Sequence, residues 1–494
     1  MAQINESDIR GVVENVLKRI MNGDAQVAPG AAKTVSPSPA QPQTSVRRSS
    51  SNIRFGRGTF ETVDQAVDAA AEAFRVLNAS TIEQRNKIIG AIRKCGKDYA
   101  RDIAQRTLEE TGMGRLEDKV AKTMTAAEGT PGTEDLGTHA WSGDNGLTTV
   151  EMAPYGVISA VTPSTHPVPT MINNAISMIA AGNSVVFAPH PGAKNVFLYA
   201  LGLINDAIVQ AGGPDNLLTC VAEPTIEKAQ ELFYHQGSRL LVVTGGPGVV
   251  SAAMKVPKKV IAAGPGNPPV VVDESADISQ AVSDIIEGGG FENNILCTAE
   301  KEVFVVDRVF DVFMREMANQ GMVKLESHQI DALANEAFQR GKGGNPVVNR
   351  KYVGRNASVL AEAAGVRVSD DVRLLFGETD ANHVFVQEEQ MMPFIPIVRV
   401  PDVNRAIDLA IEAEGGCLHT AMIHSRNISN MHQMARRVNT TIFVKNGSSL
   451  AGLGVGGEGT PTFTIATPTG EGVTTARSFT RSRRCTLKRF FHIV

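Results

Sequence analysis

From residue 156 onward, short runs of β-branched and apolar residues alternate with longer helical stretches. "GVISAVTPSTHP" reads as strand then turn, "PTMINNAISMIAAG" as helix, and "SVVFAPHP" as strand. "NVFLYALGLINDAIVQAGG" is helix and "RLLVVTGG" strand. "KKVIAAGPGNPPVVVD" is two strands around a Gly/Pro turn. Strands regularly separated by helices predict parallel sheets covered by helices, an α/β fold. Several of these strands run into loops bearing Gly, Pro or Thr, and in open α/β sheets such strand ends are where ligands sit.

The 494 residues exceed what one simple core organises, so two or three domains are expected. Lys+Arg 48 against Asp+Glu 52 leaves a net charge of −4, which argues against a nucleic-acid or membrane-surface protein. The basic run "RSRRCTLKR" (Arg481 to Arg489) is a local exception, read as a solvated or subunit-facing strand. The five cysteines, Cys95, Cys220, Cys297, Cys417 and Cys485, are scattered and odd in number, without metal-ligand spacing. No disulfide framework or metal site is indicated, and a reducing cytosol fits. No apolar run is long enough to span a bilayer, and the N-terminus lacks the order of a secretory signal.

Residues 1–21 carry an isolated amphipathic pattern: Ile9, Val12, Val13, Val16, Leu17 and Ile20 fall at helical spacing. A helix this short is marginal alone in water and needs a partner surface. Residues 22–54 are Pro- and Ser-rich without apolar period, a flexible tether. The helix either docks on another protein or folds back on the globular body. That body starts near Phe55, with amphipathic helices over 62–77 and 81–112 that open on Thr62 and Thr81.

No GxGxxG follows a strand. "VTGGPGVV" is a Gly-rich turn before a helix, which can admit a pyrophosphate to backbone N–H groups or serve as a tight structural turn. Cys297 lies in "GGGFENNILCTAEKEVFVV"; alone, it reads as a packed cysteine more readily than as a nucleophile.

In combination, "AVTPSTHPVPT", "VVFAPHPGAK", "VVTGGPG", "AAGPGNPPVVVDESAD", "NNILCTAEK", "EEQMMPFIPIVRV" and "TPTGEGVTTARSFTRSRR" resemble the aldehyde dehydrogenase superfamily from about residue 55 to the C-terminus. The resemblance is strongest to its CoA-acylating branch, and there to the enzymes of ethanolamine- and propanediol-utilising bacterial microcompartments. It implies an aldehyde dehydrogenase fold with three parts: a Rossmann-like NAD-binding domain over 55–262, an α/β catalytic domain over 263–445, and a β oligomerisation arm. A hairpin near 147–158 and the C-terminal return over 446–494 supply the arm. It implies NAD and coenzyme A as cosubstrates, a short-chain aldehyde as substrate, and a homodimer or tetramer. The N-terminal helix becomes a segment that docks on a shell protein inside a bacterial microcompartment. Cys297 becomes the nucleophile, His419 a base or positioning group for the incoming thiol, and Thr165 a candidate oxyanion neighbour. His166 would shape the aldehyde pocket. Thr162, Pro163 and Ser164 would face the cofactor–catalytic junction, Ala188, Pro189 and His190 the adenosine, and Thr244, Gly245 and Gly246 the pyrophosphate. Gly264 joins the cofactor set, and Glu389 would hold the nicotinamide ribose. No metal is implied. His424 and Cys417 are read as packing residues.

Departures from the hydrolytic relatives carry information. Ala263 stands where those enzymes have a glutamate general base. Such a base contributes about 10²–10⁴-fold, so its absence points to a thiol rather than water as the acyl acceptor. Thr165 stands at their oxyanion asparagine, leaving the Cys297 N–H as a donor candidate. Ala188 stands at a ribose-binding lysine, which favours NAD over NADP. A free thiol is only a few per cent ionised at neutral pH, so Cys297 needs N–H dipoles or the cofactor's positive ring. The competing readings are a hydrolytic aldehyde dehydrogenase, a Cys/His acyltransferase without nicotinamide, and a non-catalytic compartment protein.

Overall fold

The computed structural model describes residues 56–341 and 344–493. The N-terminal helix and tether expected over 1–54 lie outside them.

Two parallel sheets organise the described chain. In the first, six strands run in the order Thr59–Phe60, Leu218–Val221, Ser184–Pro189, Val157–Thr162, Leu240–Thr244, Lys259–Ala263. Every neighbouring pair is parallel. Alternate residues feed opposite faces, as strand geometry requires. Val185 and Phe187 enter one apolar cluster, Val186 and Ala188 the other. With both faces covered, every residue of Val157–Thr162 is buried, which is why these strands read as continuous apolar runs.

The second sheet has seven parallel strands: Val323–Lys324, Leu375–Thr379, Phe394–Val400, Glu302–Val306, Pro269–Val272, Thr420–His424 and Ile442–Lys445. The two strands expected around the "GPGNPP" turn part company here. Lys259–Ala263 closes the first sheet and Pro269–Val272 sits inside the second. The turn is therefore a crossing between sheets, not a hairpin.

The entry helices begin where the capping residues place them. Thr62 and Gln65 form a reciprocal capping box for Val63–Asn78, and Thr81 accepts the Gln84 N–H for Ile82–Asp98. The single helix expected over 81–112 is two, Ile82–Asp98 and Ala100–Thr111, broken at Tyr99 (φ −104°, ψ 8°). The second ends at Gly112 (φ 63°), a left-handed position suited to glycine.

A three-stranded antiparallel arm stands apart: His139–Gly143, Gly146–Pro154 and Thr480–Lys488. The hairpin thus lies earlier than 147–158, because Val157 and Ile158 already belong to the first sheet. The basic run forms the third strand, nearly all exposed. The only tryptophan of the chain, Trp141, lies on the arm and is 58% exposed.

Candidate active site

A cavity of about 940 Å³ opens at the carboxyl ends of the first sheet's strands. The central strands Val157–Thr162 and Leu240–Thr244 are neighbours, yet the next strands in sequence, Ser184–Pro189 and Lys259–Ala263, lie on opposite sides of them. That is a topological switch point, where an open α/β sheet leaves a ligand crevice. Thr162, Pro163, Ser164, Ala188, Pro189, His190, Thr244, Gly245, Gly246 and Gly264 all line it. Two observations test its fit to a dinucleotide. A Cβ at Gly246 would meet nothing within 4 Å, so backbone there faces open space. The buried Thr162 hydroxyl on the wall has no protein partner among the described residues. Both suit a polar ligand approaching backbone closely, and the residues fit NAD. Lys228, Arg350 and Arg355 also line the cavity, cations that no motif announced.

Cys297 lines the same cavity, together with Ile295, Leu296 and Thr298. The loop before it is tightly built. The helix Ile278–Gly290 ends in three glycines, and a Cβ at Gly288 would stand 2.1 Å from a Glu300 carboxylate oxygen. Glu292, Asn293 and Asn294 follow in left-handed conformation at φ 53°, 55° and 65°. Three such residues in a row are costly, and each is held. Glu292 is fully buried and accepts from Lys119 Nζ at 3.0 Å, from Lys122 Nζ, and from the Arg115 N–H at 3.1 Å. The Asn293 side chain accepts from Arg115 Nε at 2.8 Å. Asn294 donates to the Gly289 and Glu300 carbonyls, both at 2.9 Å, and accepts from the buried Lys301 ammonium. Burial, with Glu389 nearby, pushes the Cys297 thiol up to about 12. Burial also raises the Glu389 carboxyl, against the opposing pull of Lys301 and the Gly266 N–H. Glu389 itself lines the cavity.

The loop carrying Thr165 meets this network. Lys122 Nζ, on the helix Leu116–Gly129, donates to the Thr165 carbonyl at 3.1 Å as well as to Glu292. One ammonium thereby joins the loop after a first-sheet strand to the loop that leads to Cys297. Thr165 Oγ1 lies 3.0 Å from His166 Nδ1. Both residues line the cavity, and burial beside Lys122 and Lys119 holds His166 neutral.

His419 is 1% exposed and not among the cavity-lining residues. It stands behind Gly266. A Cβ on that glycine would lie 2.7 Å from His419 Cγ and 2.8 Å from the Cys297 carbonyl oxygen. The imidazole and the Cys297 segment thus face each other across one bare Cα. Burial and Lys301 lower the His419 pKa to about 4, so the ring is neutral. Its Nδ1 pairs with Thr420 Oγ1 at 2.9 Å, and its Nε2 has no partner among the described residues. Cys417, read as packing, is only part-buried. His424 is buried, and burial lowers its pKa to about 4.

Sequence reasoning passed over Lys119 and Lys122. They occupy inward positions of their helix at 3% and 4% exposure, where lysine is rare. The usable signal was their place on the same stripe as Thr123, Ala126 and Ala127.

The Aldehyde dehydrogenase family model matches residues 41–369. The acetylating acetaldehyde dehydrogenase EutE of Salmonella typhimurium is 51% identical over 99% of this chain and 100% of its own length. The CoA-propanoylating propanal dehydrogenase of the same organism is 43% identical over 99% of this chain and 100% of its own. Rhodopseudomonas palustris propionaldehyde dehydrogenase, solved with bound propionyl-CoA, superposes with a TM-score of 0.85 at 45% identity, covering 88% of this chain and 96% of that one. A propionaldehyde dehydrogenase from the Clostridium phytofermentans fucose utilisation bacterial microcompartment gives 0.86 at 44%, covering 89% and 100%. With the family model over two thirds of its length and these relatives over nearly all of it, the chain belongs to the aldehyde dehydrogenase family, in the CoA-acylating branch.

Proposed function

We propose that the protein oxidises a short-chain aldehyde and hands the acyl group from Cys297 to coenzyme A. Overall, aldehyde, NAD and CoA become acyl-CoA, NADH and a proton. The Cys297 S–H adds across the aldehyde C=O, sulfur to carbon and proton to oxygen, giving a hemithioacetal, with the Cys297 N–H and the Thr165 loop as the candidate oxyanion donors. NAD held by the switch-point cleft would accept the hydride from the hemithioacetal carbon, and the hydroxyl proton leaves as the C=O re-forms. A thioester remains on Cys297. The CoA thiol then attacks the thioester carbon: the new C–S bond forms, the Cys297 C–S bond breaks, and the thiol proton passes by way of His419 Nε2, which has no partner among the described residues, to the departing Cys297 sulfur.

One observation carries the choice of thiol over water. Ala263 lines the cavity at the end of its strand and offers no carboxylate where a hydrolytic base would stand. The R. palustris relative has also been solved with bound CoA and an acylated cysteine. The test is NADH formation with C2 to C4 aldehydes, with and without CoA, and mass analysis of products. Acyl-CoA as the main product supports the proposal. Free acid formed equally fast without CoA means hydrolysis, and product without NADH means a nicotinamide-free acyltransferase.

We further propose that the chain assembles as a dimer or tetramer through its arm, and that residues 1–21 dock it on a microcompartment shell protein. The arm exposes Trp141 and Leu487, with Phe490 and Phe491 just beyond it, more apolar surface than a solvated strand needs. Among the described residues no helix is long and apolar enough to cross a membrane. The mixed charge of Glu6, Asp8, Arg10, Glu14, Lys18 and Arg19 suits a protein groove over an anionic lipid surface.

A further inference from the structure

We infer that Glu414 is a positioning residue for the CoA step: its buried carboxylate shapes the 415–419 turn and so fixes where His419 stands behind Cys297. The inference rests on the proposed role of His419.

The turn has no regular structure to hold it. It leaves the helix Val403–Glu414 through Gly415 and Gly416 (φ 66° and 78°), passes Leu418, which is also left-handed (φ 54°), and enters the strand Thr420–His424. Leucine in that conformation persists only where its surroundings over-determine it. Leu418 is 41% exposed, so packing does not hold it there. Its carbonyl accepts the Thr441 N–H at 2.9 Å from outside the turn, and the Glu414 side chain, 2% exposed, holds the turn from within. One oxygen accepts the His419 N–H at 2.8 Å, the other the Gly416 N–H at 3.0 Å. Charge-assisted bonds to backbone N–H groups are roughly twice as strong as neutral ones. Both ends of the turn are thus tied to one carboxylate.

A second buried group fixes the same place. Asn267, next to Gly266, donates to the Ala413 carbonyl at 3.0 Å and to the Val386 carbonyl at 2.9 Å. The segment facing His419 is therefore pinned to the residue before Glu414. Turn and glycine segment share one anchor point, which sets their separation. The clearance at Gly266 is under one methyl group, so a small shift of the turn changes the His419–Cys297 relation directly.

The experiment uses the full-length enzyme and separates two half-reactions. Pre-steady-state NADH formation on mixing aldehyde with NAD reports acyl-enzyme formation. Decay of the isolated acyl-enzyme on adding CoA reports thiol transfer. Glu414→Gln keeps one acceptor oxygen and loses the other. It is expected to leave the NADH burst amplitude within about twofold and to slow thiol transfer roughly 10- to 100-fold, the scale of an ångström-level misplacement. Glu414→Asp, too short to reach both N–H groups, should be slowed similarly. The double variant with His419→Ala should be no slower than His419→Ala alone, since both act through one group. An unchanged transfer rate in Glu414→Gln, or full additivity with His419→Ala, overturns the inference. Equal loss of burst and transfer, with a lowered Tm, overturns it in favour of a purely structural role. If His419→Ala itself transfers to CoA at the wild-type rate, the His419 assignment fails first, and with it this one.

Discussion

Gly266 has no side chain, yet the Cys297 carbonyl and the His419 ring both close on its Cα. A methyl group there would sit below 3.0 Å from each. Gly266→Ala therefore forces the nucleophile segment or the imidazole to move. The expected result is a fold that survives with kcat reduced by roughly 10²-fold, read by steady-state NADH assay beside a thermal melt. Cys297 itself yields a pH prediction. Its thiol sits at about 12, so the ionised fraction in the cofactor-free enzyme grows tenfold per pH unit through the neutral and mildly alkaline range. Iodoacetamide labelling, followed by mass, should climb without a plateau up to about pH 10, whereas an ordinary cysteine near 8.5 levels off. A plateau near pH 9 would place the thiol lower. In Cys297→Ala, NADH production should vanish with NAD binding retained. The motif singled out Cys297, and the structure places it on the cavity wall. The glycine that sets its distance to His419 was not legible, because a close approach between segments over 100 residues apart leaves no local pattern.

The loop before Cys297 is an element in which buried charge works beside a small apolar cluster of Phe291, Leu296, Ala299 and Leu450. Burial alone would raise the Glu292 carboxyl, and the ammonium groups of Lys122 and Lys119 more than reverse this, leaving it below the usual 4.5. A carboxyl depressed in the folded state stabilises fully above its unfolded value and loses that contribution as pH falls through the folded one. The Tm should therefore drop as pH falls from about 5 towards 3, and Glu292→Gln should flatten that drop. At neutral pH the same substitution strands two buried lysines and is expected to cost about 3–5 kcal/mol, read as a lowered Tm. An unchanged Tm would mean that the loop does not depend on this pairing. The alternation of strands and helices made the parallel sheets readable, because buried parallel strands must be continuously apolar and their crossovers amphipathic. It could not assign Lys259–Ala263 and Pro269–Val272 to different sheets, since six residues of Gly, Pro and Asn read alike as hairpin or crossing. The break at Tyr99 was equally hidden: apolar period continues across it and only the backbone turns.

At the scale of the whole molecule, the proposed assembly rests on the arm and the proposed shell docking on residues 1–21. Truncation before Thr480 removes the third arm strand and should convert the assembly to smaller, less active species, followed by light scattering at micromolar concentration. A stable, fully active wild-type monomer would refute assembly through the arm. Deleting residues 1–21 should leave turnover intact and abolish co-purification with shells, while the same residues fused to a fluorescent protein should carry it into compartments. Loss of solubility on deletion, with the fusion diffuse, would instead make the segment part of the enzyme's own fold. The position of Trp141 has an optical consequence. It is the chain's only indole, on the outer arm strand with the Arg484 guanidinium 5.9 Å from its ring. Its emission at 295 nm excitation therefore reports the polarity around the arm and nothing of the catalytic cleft. Dilution through the dissociation range should shift that emission to the red, and adding aldehyde or CoA at fixed assembly should leave its wavelength where it was.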